Sequence, residues 1–363
     1  MKAAQLADGR GGTITRADWR LFALSAVVTA ASAIVHFVSS SGVLPFVITA
    51  ISLAVLASLV GRSVDRLGDR LGSGATGFIQ SALGNLPELF VGIFALRAGL
   101  VGVVQSALIG SILANLLLVL GLAFIAGGVR HGTQTFAAPA ARMTMLLLVV
   151  SVAIIAIPTI ALHLGGPVSH HTRALSNVAS IILLVIFVLS IPASLRDAER
   201  DGEAPTFEGP LWPISLVIGV LVVSSAAAAL VSDWFIAALT PALAVLHMSQ
   251  AFAGLVIVAI AGNAVEHFVG VKLAVANRTD YAVSVILQSP VQIALGLVPI
   301  LVLGSGVIGG ATLTLVMPIL LLAVLAIGTA VGVIIVFDGE STWLEGAILV
   351  GLYATIATAF WWG

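Results

Sequence analysis

Two glutamates stand where acids are costly. Glu88 and Glu266 each sit inside a long apolar stretch, with roughly 13 apolar-rich residues ahead of them, which at 1.5 Å per residue sets them near the middle of a bilayer. A charge at that depth costs at least about 2.5–3.5 kcal/mol. Each is preceded by a glycine and an asparagine: residues 84–90 read GNLPELF and residues 262–268 read GNAVEHF. Asn85 and Glu88, like Asn263 and Glu266, are three residues apart and would share one helix face. Gly84, Gly262 and Pro87 are backbone breakers beside them, and a broken helix frees carbonyl oxygens to face a cavity. Further along come Ser111 and Asn115, four apart, and then Gln288, Ser289 and Gln292 with the breaker Pro290. Two carboxylates among neutral oxygens suit a hard cation such as Ca²⁺, which takes about six to eight oxygen ligands. A transition metal would call for His or Cys, and the chain has no cysteine.

Plainer readings stand beside this one. The glutamates could be protonated and merely bond between helices. Ser111, Asn115, Ser289 and Gln292 could be interhelical hydrogen-bond partners, and Ser106 and Ser284 could be packing residues. His267 adjoins Glu266 but points about 100° away on a helix; it could accept a proton, bond a neighbour or simply pack. No nucleophile or metal triad accompanies the acids, so the chain reads as a non-enzyme.

The two motifs are copies. Holding the offset at 178, 10 of the 34 positions from Gly84/Gly262 to Leu117/Leu295 are identical, the rare Asn, Glu and Ser among them. The elements that carry them must be membrane helices. The 363 residues are 60% hydrophobic and 9% charged, too little charge to cover a soluble surface. A net charge of −1 leaves no footprint for nucleic acid, and the absence of cysteine excludes a disulfide-stapled secreted domain. Eleven windows have the length and apolarity of a span: 19–39, 43–61, 75–97, 102–127, 143–162, 174–194, 211–231, 251–275, 281–304, 311–337 and 343–362. The polar N-terminus does not read as a cleavable signal. Lys and Arg divide twelve to two between alternating loops, with Lys272 inside the eighth window, which predicts a cytoplasmic N-terminus and an outer C-terminus.

The expected class is therefore an all-α integral membrane protein with 11 transmembrane helices. It comprises residues 1–42 with the first span, a half at 43–195, a cytoplasmic linker at 196–210 and a half at 211–363. The motifs fall in spans three and eight, which run oppositely, so the halves are two five-helix repeats of inverted topology with one extra N-terminal helix. A site between such repeats is the architecture of secondary transporters.

Residues 84–121 and 262–295 resemble the two α-repeats of the cation/Ca²⁺ exchanger superfamily, and the GNxxE and GNAxEH forms are similar to its calcium/proton exchanger (CAX) branch. The resemblance implies Ca²⁺ and H⁺ as the exchanged ions, held in turn by Glu88 and Glu266, with Asn85, Asn263, Ser111 and Ser289 as co-ligands and no cofactor. The expected location is a bacterial-type plasma membrane, and a homo-oligomer is left open. Two departures stand out. The 196–210 linker is shorter and less acidic than the family's acidic helix, and Gln288 stands opposite Gly110, where that family more often has glycine. Coupling to Na⁺, exchange of Na⁺ or K⁺ for protons, and a passive cation channel are the competing readings, with His267 favouring protons.

Overall fold

The computed structural model describes residues 14–38, 42–71, 83–200 and 212–362. Twelve helices account for most of them: α1 (Arg16–Val38), α2 (Val43–Leu71), α3 (Leu86–Arg97), α4 (Val101–His131), α5 (Ala138–Leu164), α6 (Thr172–Arg200), α7 (Ile214–Leu246), α8 (Gln250–Gly262), α9 (Ala264–Val275), α10 (Thr279–Ile308), α11 (Ile319–Ile335) and α12 (Trp343–Trp361). Eight are long and apolar enough to cross a membrane singly, and α8 with α9, bent by 63°, would make a ninth crossing if the pair is one span. The core runs through α4 and α10: nearly every residue from Val103 to Leu120 and from Ile286 to Val298 is buried.

The remaining two windows need separate comment. Residues 75–82 of the third lie outside the described residues, and its second part is α3. The tenth window, 311–337, is helical only over the 17 residues of α11. Ahead of it residues 311–318 run extended, with Leu313, Leu315 and Met317 buried in alternation. Non-helical backbone survives at this depth only if its polar groups are satisfied within the protein. Side chains of four helices satisfy it here. Ser305 accepts from the Leu313 amide, Ser176 from Leu315 and Thr159 from Met317. The Gln105 amide donates to the carbonyls of Val316 (2.6 Å) and Thr314 (3.2 Å).

Two other boundaries move. α7 runs 33 residues to Leu246, beyond the expected end at 231, so Trp234 lies inside a helix. α6 continues to Arg200, making 196–200 helical, while 201–210 of the expected linker lie outside the described residues. A two-residue bridge, β1 (Gln134–Thr135) antiparallel to β2 (Glu340–Ser341), is the small non-helical exception to the all-α expectation.

The 178-residue register of the sequence repeat extends to the backbone. The bounds of α3 plus 178 are those of α9, and the first residue of α4 plus 178 is that of α10. Both α4 and α10 carry a π-helical stretch at matching places, Ala114–Val119 and Ile293–Leu297. Asn85 (φ −92°, ψ 17°) and Asn263 (φ −97°, ψ 24°) leave the helical region in the same way.

Candidate cation site

The asparagines are therefore not on the helices of their glutamates, as the three-residue spacing suggested. Each is the residue at which the chain turns into the next helix, and each glutamate follows at the third position of that helix. The first turn of a helix presents unpaired N–H groups and a positive dipole end, which favours a carboxylate there. Pro87 occupies the second position of α3, where a missing N–H costs nothing, so it starts this helix rather than breaking one. Pro290 lies within α10, three residues ahead of the π-helical stretch. The matching stretch in α4 has no proline, so proline is not the general cause.

The two copies interlock. Glu88 is buried, with its carboxyl laid on Gly262: a Cβ there would fall 2.8 Å from its Cγ and 2.9 Å from its Cδ. Only glycine leaves that space, which ties the first motif's acid to the second motif's break. Gly84 lies in the turn ahead of α3. Glu266 is half-buried, and the two carboxylates lie within electrostatic reach of each other.

Beside them is a buried amide–hydroxyl cluster. Asn263 Nδ2 donates to Ser111 Oγ (2.9 Å) and to the Ala259 carbonyl (2.8 Å). Its Oδ1 accepts from Asn115 Nδ2 (2.9 Å) and Ser289 Oγ (3.3 Å). Asn115 Nδ2 also bonds the Ser111 carbonyl (3.0 Å) and shares a longer contact with Ser289 Oγ (3.2 Å). The cluster thus draws Ser111 and Asn115 from α4, Ser289 from α10 and Asn263 from the α8–α9 break. Four of the sequence-selected residues meet here. Asn85 is buried at its own break, Gln292 is buried outside the cluster, and Gln288 is half-buried.

Several acceptors remain open. Among the described residues, Glu88 Oε2, Asn115 Oδ1 and His267 Nε2 are buried without a hydrogen-bond partner. A buried polar atom left unpaired is costly, so such atoms mark places where an ion, a proton or water completes the bonding. A small cavity, with about 20 Å³ of room for a water-sized sphere, reaches Glu88 and Ser111 and is otherwise apolar, walled by Val91, Ala95, Val104 and Leu301 among others. Among the described residues no three His, Cys, Asp or Glu side chains converge on one point. The groups gathered here that could hold a cation are two carboxylates and neutral oxygens, a set suited to Ca²⁺.

Three features escaped the sequence reading. Gly110 and Gly254 press α4 against α8 backbone to backbone: a Cβ on Gly110 would lie 2.3 Å from the Leu255 carbonyl oxygen, and one on Gly254 2.5 Å from that of Val103. Asp65 lies within electrostatic reach of Glu266; it belongs to the part of α2 beyond the expected end at residue 61. Asp18, at the polar start of α1, is fully buried. Glycines spaced for close helix approach could have suggested the first. The other two depend on tertiary neighbours.

Comparison with known proteins gives the family and the fold. The sodium/calcium exchanger protein family model matches residues 41–196 and 216–362. A Ca²⁺/H⁺ antiporter of Synechocystis is 30% identical over 94% of this chain and 97% of its own length. The Ca²⁺/H⁺ antiporter ChaA of Bacillus subtilis is 30% identical over 87% of this chain and 91% of its own. A solved structure of native YfkE superposes with a TM-score of 0.80 at 29% identity, covering 94% of this chain and 99% of that one.

Proposed function

The chain belongs to the sodium/calcium exchanger protein family and to its Ca²⁺/H⁺ antiporter branch, and from that premise we propose that it is an integral membrane antiporter that exchanges Ca²⁺ for protons at Glu88 and Glu266. The observation that carries this reading is the interlocking of the two motifs, with the Glu88 carboxyl seated on Gly262 at the break that leads to Glu266.

Coupling follows from charge balance. Two ionised carboxylates within electrostatic reach of each other, Glu88 buried and Glu266 half-buried, are expensive, because nothing repays their desolvation. Ca²⁺ cancels both charges, and so do protons. Each loaded form can pass through an occluded state, whereas the empty ionised form cannot. Ca²⁺ ligates only ionised carboxylates, so the two ions compete for one set of oxygens. Asn263, Ser111, Ser289 and Asn115 supply neutral oxygens and hold the α8–α9 break against α4 and α10; Asn85, buried at the other break, offers a further neutral oxygen. His267, next to Glu266 in the chain, is a further proton acceptor.

The matched bounds of α3 and α9, and of the π-helical stretches, support two halves of inverted topology with the site between them. In that arrangement alternating access exposes the site to one side at a time. Nine crossings, the short helix α11 and the partly described third window support a count of eleven. The twelve-to-two division of Lys and Arg supports N-in, C-out. With the proton gradient directed inward across a plasma membrane, the cycle extrudes cytosolic Ca²⁺.

The test is Ca²⁺ uptake into proteoliposomes driven by an imposed pH gradient, with Na⁺ and K⁺ gradients run in parallel. Uptake should follow the pH gradient alone, and apparent Ca²⁺ affinity should rise with pH on the loading side. Proton-driven uptake that persists in Glu88→Gln would end this reading.

A further inference from the structure

α1 stands outside the sequence repeat, and nothing in the exchange chemistry uses it. Its fastening is nevertheless elaborate, at three levels along its 23 residues. At its first turn, Asp18 is completely buried and forms an ion pair with Arg62 of α2. The same carboxylate accepts from Trp212 Nε1 (3.2 Å), two residues ahead of α7, and from the Thr15 amide and hydroxyl (2.8 Å each). Trp212 is itself buried, with Phe22 of α1 edge-on to it at 5.3 Å and the Arg66 guanidinium 5.8 Å from its ring centre.

Near the middle of α1, Ser32 Oγ donates to Ser52 Oγ of α2 (2.7 Å), and Ser52 Oγ reaches back to the Val28 carbonyl (2.8 Å). At the far end the His36 ring stacks on Trp234 of α7, 5.3 Å between centres and 20° between planes, and Phe37 meets the same ring edge-on. α2 and α7 are joined directly by the stacked rings of Phe46 and Phe235 and by Val60, Val64 and Leu221. The opposite side of α1, with Leu24, Val27 and Ile34, is apolar and exposed, as lipid contact requires.

We propose that Asp18 is a positioning residue whose clamp makes α1, α2 and α7 one rigid three-helix body, with no slip at the α1 interface during the exchange cycle. A helix that slid past its neighbours by a turn would have to break buried polar bonds where no water replaces them. It would also part the buried Asp18 carboxylate from Arg62, whose side chain is 32% exposed, and an unpaired buried carboxylate is costly. A helix that merely filled space against lipid would need neither the carboxylate nor the serine pair. This inference rests on the exchange reading, because slip has meaning only for a protein that changes access.

The chain has no cysteine, so a designed pair is unambiguous. Ser32→Cys with Ser52→Cys places two thiols where hydroxyls already touch, close to disulfide geometry. Proton-driven Ca²⁺ uptake in proteoliposomes should proceed at the same rate, within about twofold, whether the pair is reduced or oxidised by a lipid-soluble catalyst. Asp18→Ala should slow uptake roughly two- to thirtyfold, the usual span for residues that couple through other elements. The Ca²⁺ concentration for half-maximal rate should stay unchanged, since Asp18 does not touch the ion. Oxidising the cysteine pair in the Asp18→Ala background should restore the rate, an effect a simple folding role would not produce. Arrest of uptake on oxidation in the Asp18-intact protein would overturn the inference, because α1 would then have to slide on α2. That experiment does not depend on whether Asp18→Ala folds. Failure of the exchange reading would show separately, as absence of uptake in the unsubstituted chain.

Discussion

The two motif halves share a backbone and differ in almost everything that backbone presents. α3 and α9 begin and end at equivalent residues, and both glutamates take the third helical position. Yet Glu88 is buried against Gly262, while Glu266 is half-buried near Asp65. Asn263 makes four side-chain hydrogen bonds across three elements, and Asn115, which completes the cluster, corresponds in register to Ile293. Gly110 seals α4 onto α8, and its counterpart in register is Gln288. In the proposed site the two motifs therefore contribute unlike parts, and facing side chains must differ to fit together.

The largest effect should come from the acids. Glu88→Gln and Glu266→Gln should each lower proton-driven Ca²⁺ uptake about a hundredfold or more, as loss of one partner from a buried charged set does. If one variant kept substantial uptake, the halves would be separate sites and the composite reading would break. Gly262→Ala comes next. Its methyl group displaces the Glu88 carboxyl, and a misplacement on that scale should cost on the order of ten- to a hundredfold in uptake at low Ca²⁺.

The amide cluster sharpens the comparison further. Asn263→Ala should cost about 1–3 kcal/mol of stability by stranding its buried partners, visible as a lower melting temperature in detergent. Asn115→Ile, which copies the other half's residue, should cost a similar amount; if it were silent, the asymmetry would be incidental. The smallest contrast sets Gly110→Ala against Gln288→Ala. The first forces α4 from α8 and should cost about 1–3 kcal/mol. The second removes a half-buried amide outside the cluster and should stay within about 0.5 kcal/mol.

Much of this was legible in the chain. Scarcity of charge isolated Glu88 and Glu266, and the 178-residue offset anticipated helix bounds that the backbone then repeated. The breaks were legible because Gly-Asn sequences interrupt apolar runs. The extended stretch 311–318 was not, although Leu313, Leu315 and Met317 alternate with other residues. Over a span-sized window that alternation averages to the hydropathy of a helix, and the hydroxyls that satisfy its backbone come from Thr159, Ser176 and Ser305, two of them more than a hundred residues away. Asp18 was equally hidden, since an acid at a helix start ordinarily faces water, and the distant partners Arg62 and Trp212 join the local Thr15 in offsetting its burial.

By itself, the sequence determined the solvent of this protein, singled out its two acids within apolar stretches and set the register that relates them. Those follow from composition and one-dimensional spacing, which the bilayer reads directly. Only the tertiary structure decided which oxygen meets which amide, that Glu88 rests on the other half's glycine, and that α1 is tied to α2 and α7. Those depend on distances between residues far apart in the chain, and a hydrogen bond or a missing Cβ has consequences only at contact.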